Sequence, residues 1–225
     1  MTPSIDAVTL DLDDTLVEYE RPSSEVLAVA FERADVEELF TASDYFARFD
    51  DFIEPGITVE RLRSNCFAAI AEARGHDPEL GRAVADEFAL ERDQSRVRFL
   101  PGARAALDAL AAAHRLAIVT NGAPEMQRQK LAAVGLDEWV DEVVYAGYDL
   151  PAKPRPEAFH HVLDRLGVTP ERAAHVGNSL DSDVRGAKAA GLTAVWVPAD
   201  PAVTPDPVPD YAFESLADLR EPPWA

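Results

Sequence analysis

The chain has 225 residues, 47% of them apolar, which is enough for one α/β domain with a sizeable insertion or for two small domains. Its formal charge of −20 opposes contact with nucleic acid backbones, so we expect no nucleic-acid partner. We also expect no membrane partner and a cytoplasmic location, because the sequence has no long apolar run and no leader-like start.

The first predicted strand, over residues 7–13, ends in an acidic segment. The sequence LDLDDTL at 10–16 places three carboxylates within four residues, directly after an apolar run. Strand alternation puts Asp11 and Asp13 on the same side, and such carboxylates repel one another unless a cation lies among them. Because the small, hard Mg²⁺ ion prefers oxygen ligands, the segment predicts a magnesium site at the end of a buried strand.

A helical pattern follows, from about residue 23 to residue 94. Helix start and stop signals occur within it, as in TVERLRSNCFAAIAEARG at 58–75, which begins with Thr58 and ends at Gly75. About seventy helical residues are too many for a simple crossover between two strands. The pattern therefore predicts an inserted all-helical cap domain at 17–96, with residues 1–16 and 97–225 forming the core.

Regular alternation of strands and helices begins again near Phe99. Short apolar strands are predicted at 116–119, 143–145, 174–176, 194–197 and 211–213, and the helices between them end at glycines. Alternation of this kind is typical of a parallel sheet covered by helices. The sequence thus predicts an α/β fold with a Rossmann-like parallel sheet.

Polar residues follow the predicted strands at the positions where each strand ends. Open parallel sheets bind ligands beyond the carboxyl ends of their strands, so we expect these residues to converge. Carboxylates, a hydroxyl and a lysine suit a phosphoryl group held against Mg²⁺. The residues are Asp11, Asp13 and Thr15 after the first strand, Thr120, Asn121 and Gly122 after the second, Lys153 in a later loop, and Asn178, Asp181 and Asp183 after the fourth.

These motifs, in this order, resemble those of the haloacid dehalogenase (HAD) superfamily of hydrolases, in its phosphatase branch. The matching segments are Asp-x-Asp-x-Thr at 11–15, Thr-Asn-Gly at 120–122, Lys-Pro-x-Pro at 153–156 and the acidic loop at 177–183. The resemblance covers the whole predicted core. The helical insertion also occupies the position of the helical cap in this family.

The resemblance implies a mechanism. Asp11 would attack phosphorus and form an aspartyl-phosphate, and Asp13 would protonate the leaving alcohol and then activate the hydrolytic water. Thr120 would hold a phosphate oxygen, and Lys153 would neutralise charge on the nucleophile and the phosphate. The remaining substrate-binding positions implied are Thr15, Asn121 and Gly122.

The resemblance also implies a set of Mg²⁺ ligands, with one departure from the family. Many relatives have Gly-Asp where this chain has Gly177-Asn178, and asparagine keeps an oxygen but lacks the charge. Asp11 and the Asp13 carbonyl would bind the ion. Whether Asn178, Asp183 or Asp181 completes the site stays open from the sequence.

The function predicted is Mg²⁺-dependent hydrolysis of a small phosphorylated metabolite. One alternative is a 2-haloacid dehalogenase-like hydrolase, although a halide leaves without a proton and would not need the acid at Asp13. The other is a catalytically weak phosphate-binding or regulatory protein, because of Asn178. Monomer and homodimer are both compatible with the sequence. His160, His161 and His175 have no carboxylate or cysteine at ligand spacing, so we expect the first two on a helix surface and His175 as a packing residue of a strand.

The acidic composition predicts a halophilic protein. Only three of the 21 basic residues are lysines, and high ionic strength would screen the self-repulsion of such a surface. We therefore expect the melting temperature to rise with KCl concentration, measured by calorimetry from dilute buffer to molar salt. A melting temperature that is highest in dilute buffer would contradict the halophilic assignment.

Overall fold

The computed structural model describes residues 4–54, 56–148, 150–200 and 202–224. Residues 1–3 and 225 of the predicted core and residue 55 of the predicted cap lie outside the described residues, as do 149 and 201. Within the described ranges the strands are β1 (Ala7–Leu10), β2 (Val17–Tyr19), β3 (Val97–Phe99), β4 (Arg115–Thr120), β5 (Glu142–Tyr145), β6 (Ala173–Gly177), β7 (Thr193–Trp196) and β8 (Tyr211–Ala212).

The helices of the same ranges are α1 (Ser23–Arg33), α2 (Ala42–Phe49), α3 (Val59–Ala73), α4 (Pro78–Glu91), α5 (Ala103–Ala111), α6 (Pro124–Val134), α7 (Glu157–Leu166) and α8 (Arg185–Ala190). A π-helical turn, Leu180–Val184, leads directly into α8. Among these described helices, none combines the length and the apolar character that a membrane crossing requires.

Six strands form one parallel sheet in the order β5-β4-β1-β6-β7-β8, and β2 and β3 form a separate two-stranded sheet. In the large sheet β1 lies between β4 and β6, with Leu10 opposite Ile118 and Val176. The segments that follow β1, β4 and β6 therefore leave the sheet at one edge. This topology confirms the predicted α/β fold with a Rossmann-like parallel sheet.

The core strands are buried because they read as continuous apolar runs, as expected for a parallel sheet flanked by helices. All four residues of β1 and all five of β6 are buried. Phe159 of α7 is completely buried in the cluster that these strands form with α7 and α8. The α7 helix ends at Gly167, whose left-handed backbone stops the helix as the sequence predicts.

The chain divides into two compact units, one formed by Met1–Glu18 with Val97–Ala225 and the other by Tyr19–Arg96. The second unit is helical and has its own aromatic core. Phe67 makes edge-to-face contacts with Phe40 and Tyr45, at ring-centroid distances of 4.8 and 4.9 Å. Phe88 joins the same cluster at 5.6 Å from Phe67. Such contacts add to the stabilisation from apolar burial.

Gly81 lies where α4 packs against α3, and the space around it shows how closely the two helices approach. A Cβ atom at this position would overlap the backbone carbonyl group of Phe67. Alanine is the better helix former by about 1 kcal/mol, yet we expect Gly81→Ala to destabilise the protein by about 1–3 kcal/mol because of this overlap. Urea unfolding measures the change. The exposed Asp86→Ala on the same helix is the control, and a Gly81→Ala protein more stable than wild type would contradict the packing described.

Candidate active site

A buried lysine lies at the centre of the sheet edge. Lys153 is 4% exposed. Its Nζ donates to Asp11 Oδ1, Asp183 Oδ1 and the Val119 carbonyl, each at 2.7 Å. An ammonium group has three protons, and all three are used here. The lysine therefore joins the segment after β1, the strand β4 and the segment after β6.

The two carboxylates that share this ammonium have opposite pKa shifts. Burial raises the pKa of Asp11 to about 7, against the attraction of Lys153 and with added repulsion from Asp183. For Asp183, burial acts to raise the pKa, but Lys153 and a hydrogen bond from His175 outweigh it and hold the pKa below its usual range. Asp183 is thus the permanent counter-ion of Lys153, while Asp11 is the carboxylate whose charge is incompletely compensated.

Asp183 is positioned by the loop and π-helical turn that follow β6. Its Oδ2 accepts from the backbone amide of Ser179 at 2.9 Å. Its Oδ1 lies 3.3 Å from His175 Nε2. Position 177 has no space for a side chain larger than that of glycine, because a Cβ there would overlap the Asp183 carboxyl group.

The environment of His175 differs from the sequence-based expectation of simple packing. The imidazole is buried and lies between Asp183 and Thr9, whose Oγ1 is 2.9 Å from Nδ1. Burial lowers the pKa of His175. A neutral ring that donates from Nε2 to Asp183 and accepts at Nδ1 from Thr9 satisfies this network. His175 therefore helps to hold the Asp183 carboxylate in place.

Thr15 and Asn178 lie together beside Asp11. The Thr15 hydroxyl oxygen is 3.0 Å from Asn178 Oδ1 and 3.3 Å from Asp11 Oδ2. It also accepts from the Asn178 backbone amide at 3.1 Å. The Asn178 carbonyl is in turn bound by Trp196 Nε1. These contacts place the Asn178 amide oxygen near the nucleophile candidate and give Thr15 the contacts of a residue that orders the loop.

Asn121 and Gly122 follow β4. The Asn121 side chain holds the backbone of Lys153, donating to its carbonyl at 3.1 Å and accepting from its amide at 2.8 Å. The Gly122 amide donates to Thr120 Oγ1 at 3.3 Å. Asn121 thus fixes the backbone of Lys153, a contribution that the sequence pattern alone does not reveal.

Thr120 and Asp13 are connected by residues of α6 that sequence reasoning did not assign to the site. Gln127 Nε2 donates to Thr120 Oγ1 at 2.7 Å and to Asp13 Oδ2 at 2.6 Å. Lys130 Nζ donates to Asp13 Oδ1 at 2.6 Å. The scarcity of lysine in this chain was the one available signal for Lys130. Gln127 carried none.

The side chains at this edge suit a divalent cation chemically. Three carboxylates, those of Asp11, Asp13 and Asp183, face only two ammonium groups, from Lys130 and Lys153. Burial is the main cause of the raised pKa of Asp11, and repulsion from Asp183 and Asp13 adds to it. Within the described ranges, no three His, Cys, Asp or Glu side chains form a metal-binding cluster by themselves. A bound cation would therefore need an amide, a backbone carbonyl, water or substrate among its ligands.

A parallel sheet whose strand ends gather carboxylates, a hydroxyl and a buried lysine defines a class of hydrolase. The family model of the haloacid dehalogenase-like hydrolases matches residues 5–191. The chain belongs to this family, as its motifs predict.

Similar proteins include phosphatases. The phosphoserine phosphatase of Thermus thermophilus is 39% identical over 166 residues, which are 71% of this chain and 63% of that protein. The human N-acylneuraminate-9-phosphatase is 28% identical over 95% of this chain and 91% of its own length. The structure of the HAD-family protein YfnB from Bacillus subtilis has a TM-score of 0.74 at 22% identity, covering 96% of this chain and 97% of that one. The alignment with the Thermus relative thus spans less than two thirds of that protein.

Removal of the Lys153 ammonium should destabilise the fold in a pH-dependent way. Lys153→Met leaves two buried carboxylates without their cation, and we expect a loss of about 3–5 kcal/mol. Asp11 in the native chain has a pKa of about 7, and removal of Lys153 raises this pKa further, so the deficit of the variant relative to the native chain should grow as pH rises above about 7. Urea unfolding at about pH 5.5 and pH 8.5 measures the difference.

Lys188→Met is the matched control, because this lysine is partly exposed and pairs with Asp210 at 3.1 Å. Its effect should be small at both pH values. Equal destabilisation of Lys153→Met at the two pH values would show that Asp11 does not titrate against this lysine.

Proposed function

We propose that the protein is a Mg²⁺-dependent phosphatase that hydrolyses a small phosphorylated metabolite through an aspartyl-phosphate intermediate. The observation that carries the proposal is the Lys153 ammonium, which binds the Asp11 carboxylate at the edge of the sheet. Lysine there compensates charge on the nucleophile, and the neighbouring hydroxyl and second carboxylate supply what phosphoryl transfer needs. Membership of the family and the names of the relatives support this class of reaction.

Asp11 is the proposed nucleophile. Its carboxylate is largely buried, and burial would favour the neutral form if Lys153 were absent. Lys153 favours the ionised carboxylate that attack on phosphorus requires, and its remaining contacts prevent it from moving away. Asp183 keeps the lysine charged, because it and Asp11 together outweigh the effect of burial and raise the pKa of Lys153.

Thr120 is proposed to donate a hydrogen bond to a phosphate oxygen. Its hydroxyl oxygen accepts from Gln127 Nε2 and from the Gly122 amide. A hydroxyl has two acceptor positions and one proton, so these two contacts leave it the role of donor. An anionic phosphate oxygen is a suitable acceptor.

Asp13 is the proposed general acid and base. Its side chain is 38% exposed, in contrast to the nearly buried Asp11, and so is open to solvent and leaving group. It would protonate the departing alcohol and then take a proton from the water that hydrolyses the aspartyl-phosphate.

Mg²⁺ would be held by Asp11, the Asp13 carbonyl and the Asn178 amide oxygen. When bound, it would offset repulsion between the nucleophile and the phosphate. Asp183 is less suited to direct ligation than Asn178, because its side chain is 1% exposed and binds Lys153, whereas Asn178 is partly exposed.

The substrate candidates come from the relatives. Their names point to phosphoserine, N-acylneuraminate 9-phosphate and glyceraldehyde 3-phosphate. All are small phosphomonoesters. A 2-haloacid substrate is the weaker alternative, because the acid at Asp13 would have no leaving group to protonate.

The test is a substrate screen with Mg²⁺ in dilute buffer and at high KCl. The panel contains those three phosphomonoesters, phosphoglycolate and 2-chloropropionate, with release of phosphate or chloride as the readout. We expect phosphate release, and Asp11→Asn should lower kcat by about 10⁴-fold or more because the nucleophile is lost. Beryllium fluoride should be retained by the native chain with Mg²⁺ and not by Asp11→Asn. Activity that survives the substitution would refute the mechanism, and chloride release would favour the dehalogenase.

Asn178→Asp addresses the possibility that catalysis is weak. The added carboxylate should strengthen Mg²⁺ binding by about tenfold in titration calorimetry, since ligand charge sets the affinity of such sites. Lack of phosphate release from both the native chain and Asn178→Asp would favour a phosphate-binding or regulatory protein.

A further inference from the structure

The Asp13 carboxylate is held from one side by a single helix. Its Oδ1 accepts from Lys130 Nζ and its Oδ2 from Gln127 Nε2, both at 2.6 Å. The two α6 residues are three positions apart and therefore share a helix face. Both oxygens of the proposed acid and base are thus fixed by α6.

Fold stability does not explain these two side chains well. Gln127 is completely buried and Lys130 is 2% exposed. Burial of the Lys130 ammonium carries a desolvation cost, which pairing with the partly exposed Asp13 has to offset. Gln127 Oε1 is also buried without a hydrogen-bond partner among the described residues, which costs stability. A requirement of the reaction would account for keeping both.

Gln127 also fixes Asp13 relative to the phosphate-binding hydroxyl. One amide nitrogen donates to Asp13 and to Thr120, so the two acceptors are held at a set separation. Gly122 provides the space, because a Cβ at that position would overlap the Gln127 side chain. The backbone of Gly122 does not require glycine for a left-handed conformation, since its φ lies outside that region.

We propose that Lys130 and Gln127 are positioning residues that hold the Asp13 carboxylate in register with Thr120, so that proton transfer to the leaving group is efficient. The inference rests on the proposed phosphatase function and on the role of Asp13 in it. Neither residue contacts the phosphorus. Their proposed effect passes through Asp13, and in the case of Gln127 through Thr120 as well.

The test compares leaving groups. An alkyl phosphate needs a proton on its departing alcohol, whereas 4-nitrophenolate leaves without one. For Lys130→Met we expect kcat/KM to fall about 100-fold with an alkyl phosphate and by less than about fivefold with 4-nitrophenyl phosphate, since misplacing a catalytic group by about 1 Å has an effect of that size. Gln127→Met and Gly122→Ala should lower kcat/KM for the alkyl ester more than for the aryl ester, since both disturb the contact with Asp13.

Two further variants separate the possible failures. Asp13→Asn should reproduce the leaving-group dependence of Lys130→Met, and Lys188→Met should match the native chain with both esters. Urea unfolding confirms that each variant is folded. Equal loss of kcat/KM with both esters, or no loss, would overturn the positioning role while leaving the phosphatase function intact. A native chain inactive on both esters would overturn the proposed function and the positioning role together.

Discussion

The buried ammonium group of Lys153 is the interaction on which the rest of the site depends. Its three protons bind three separate segments, after β1, within β4 and after β6. A buried charge is tolerated only when it is paired and hydrogen-bonded, so the lysine and its acceptors must be assembled together. Asn121 fixes the lysine backbone, and His175 supports the Asp183 carboxylate. Asp11, the proposed nucleophile, is therefore placed beside its lysine only when these three segments are assembled correctly.

Charge balance gives the site its chemical character. Burial and the neighbouring Asp183 leave Asp11 with a raised pKa in spite of Lys153, so the site has less positive charge than its carboxylates require. An incoming phosphate would enlarge this deficit, and a divalent cation would reduce it. In the proposed mechanism, Asn178 makes the site less negative than an aspartate there would, but it would also offer the cation a weaker ligand. A substitution at residue 178 that strengthens metal binding would therefore also increase the repulsion of the phosphate.

Much of the site could be predicted because parallel strands end at a common edge. That rule alone places Asp11, Thr120 and Asn178 together, with Lys153 and Asp183 in the loops that follow. The contributions of Gln127 and Lys130 could not be predicted in the same way. Polar residues in a helical pattern are normally assigned to solvent, and only packing of α6 shows that these two are buried. His175 was missed because the π-helical turn brings an aspartate eight residues away back onto it.

The distribution of lysine has a practical consequence for the chemistry of this chain. Its surface cations are mostly arginines, and two of its three lysines, Lys130 and Lys153, are almost completely inaccessible. Only the ammonium group of Lys188 has substantial exposure, at 37% of its side chain. Among its lysine side chains, active esters and similar amine reagents would consequently modify mainly Lys188 in the folded protein. A dye or tether could be attached to Lys188 without altering either lysine of the sheet edge.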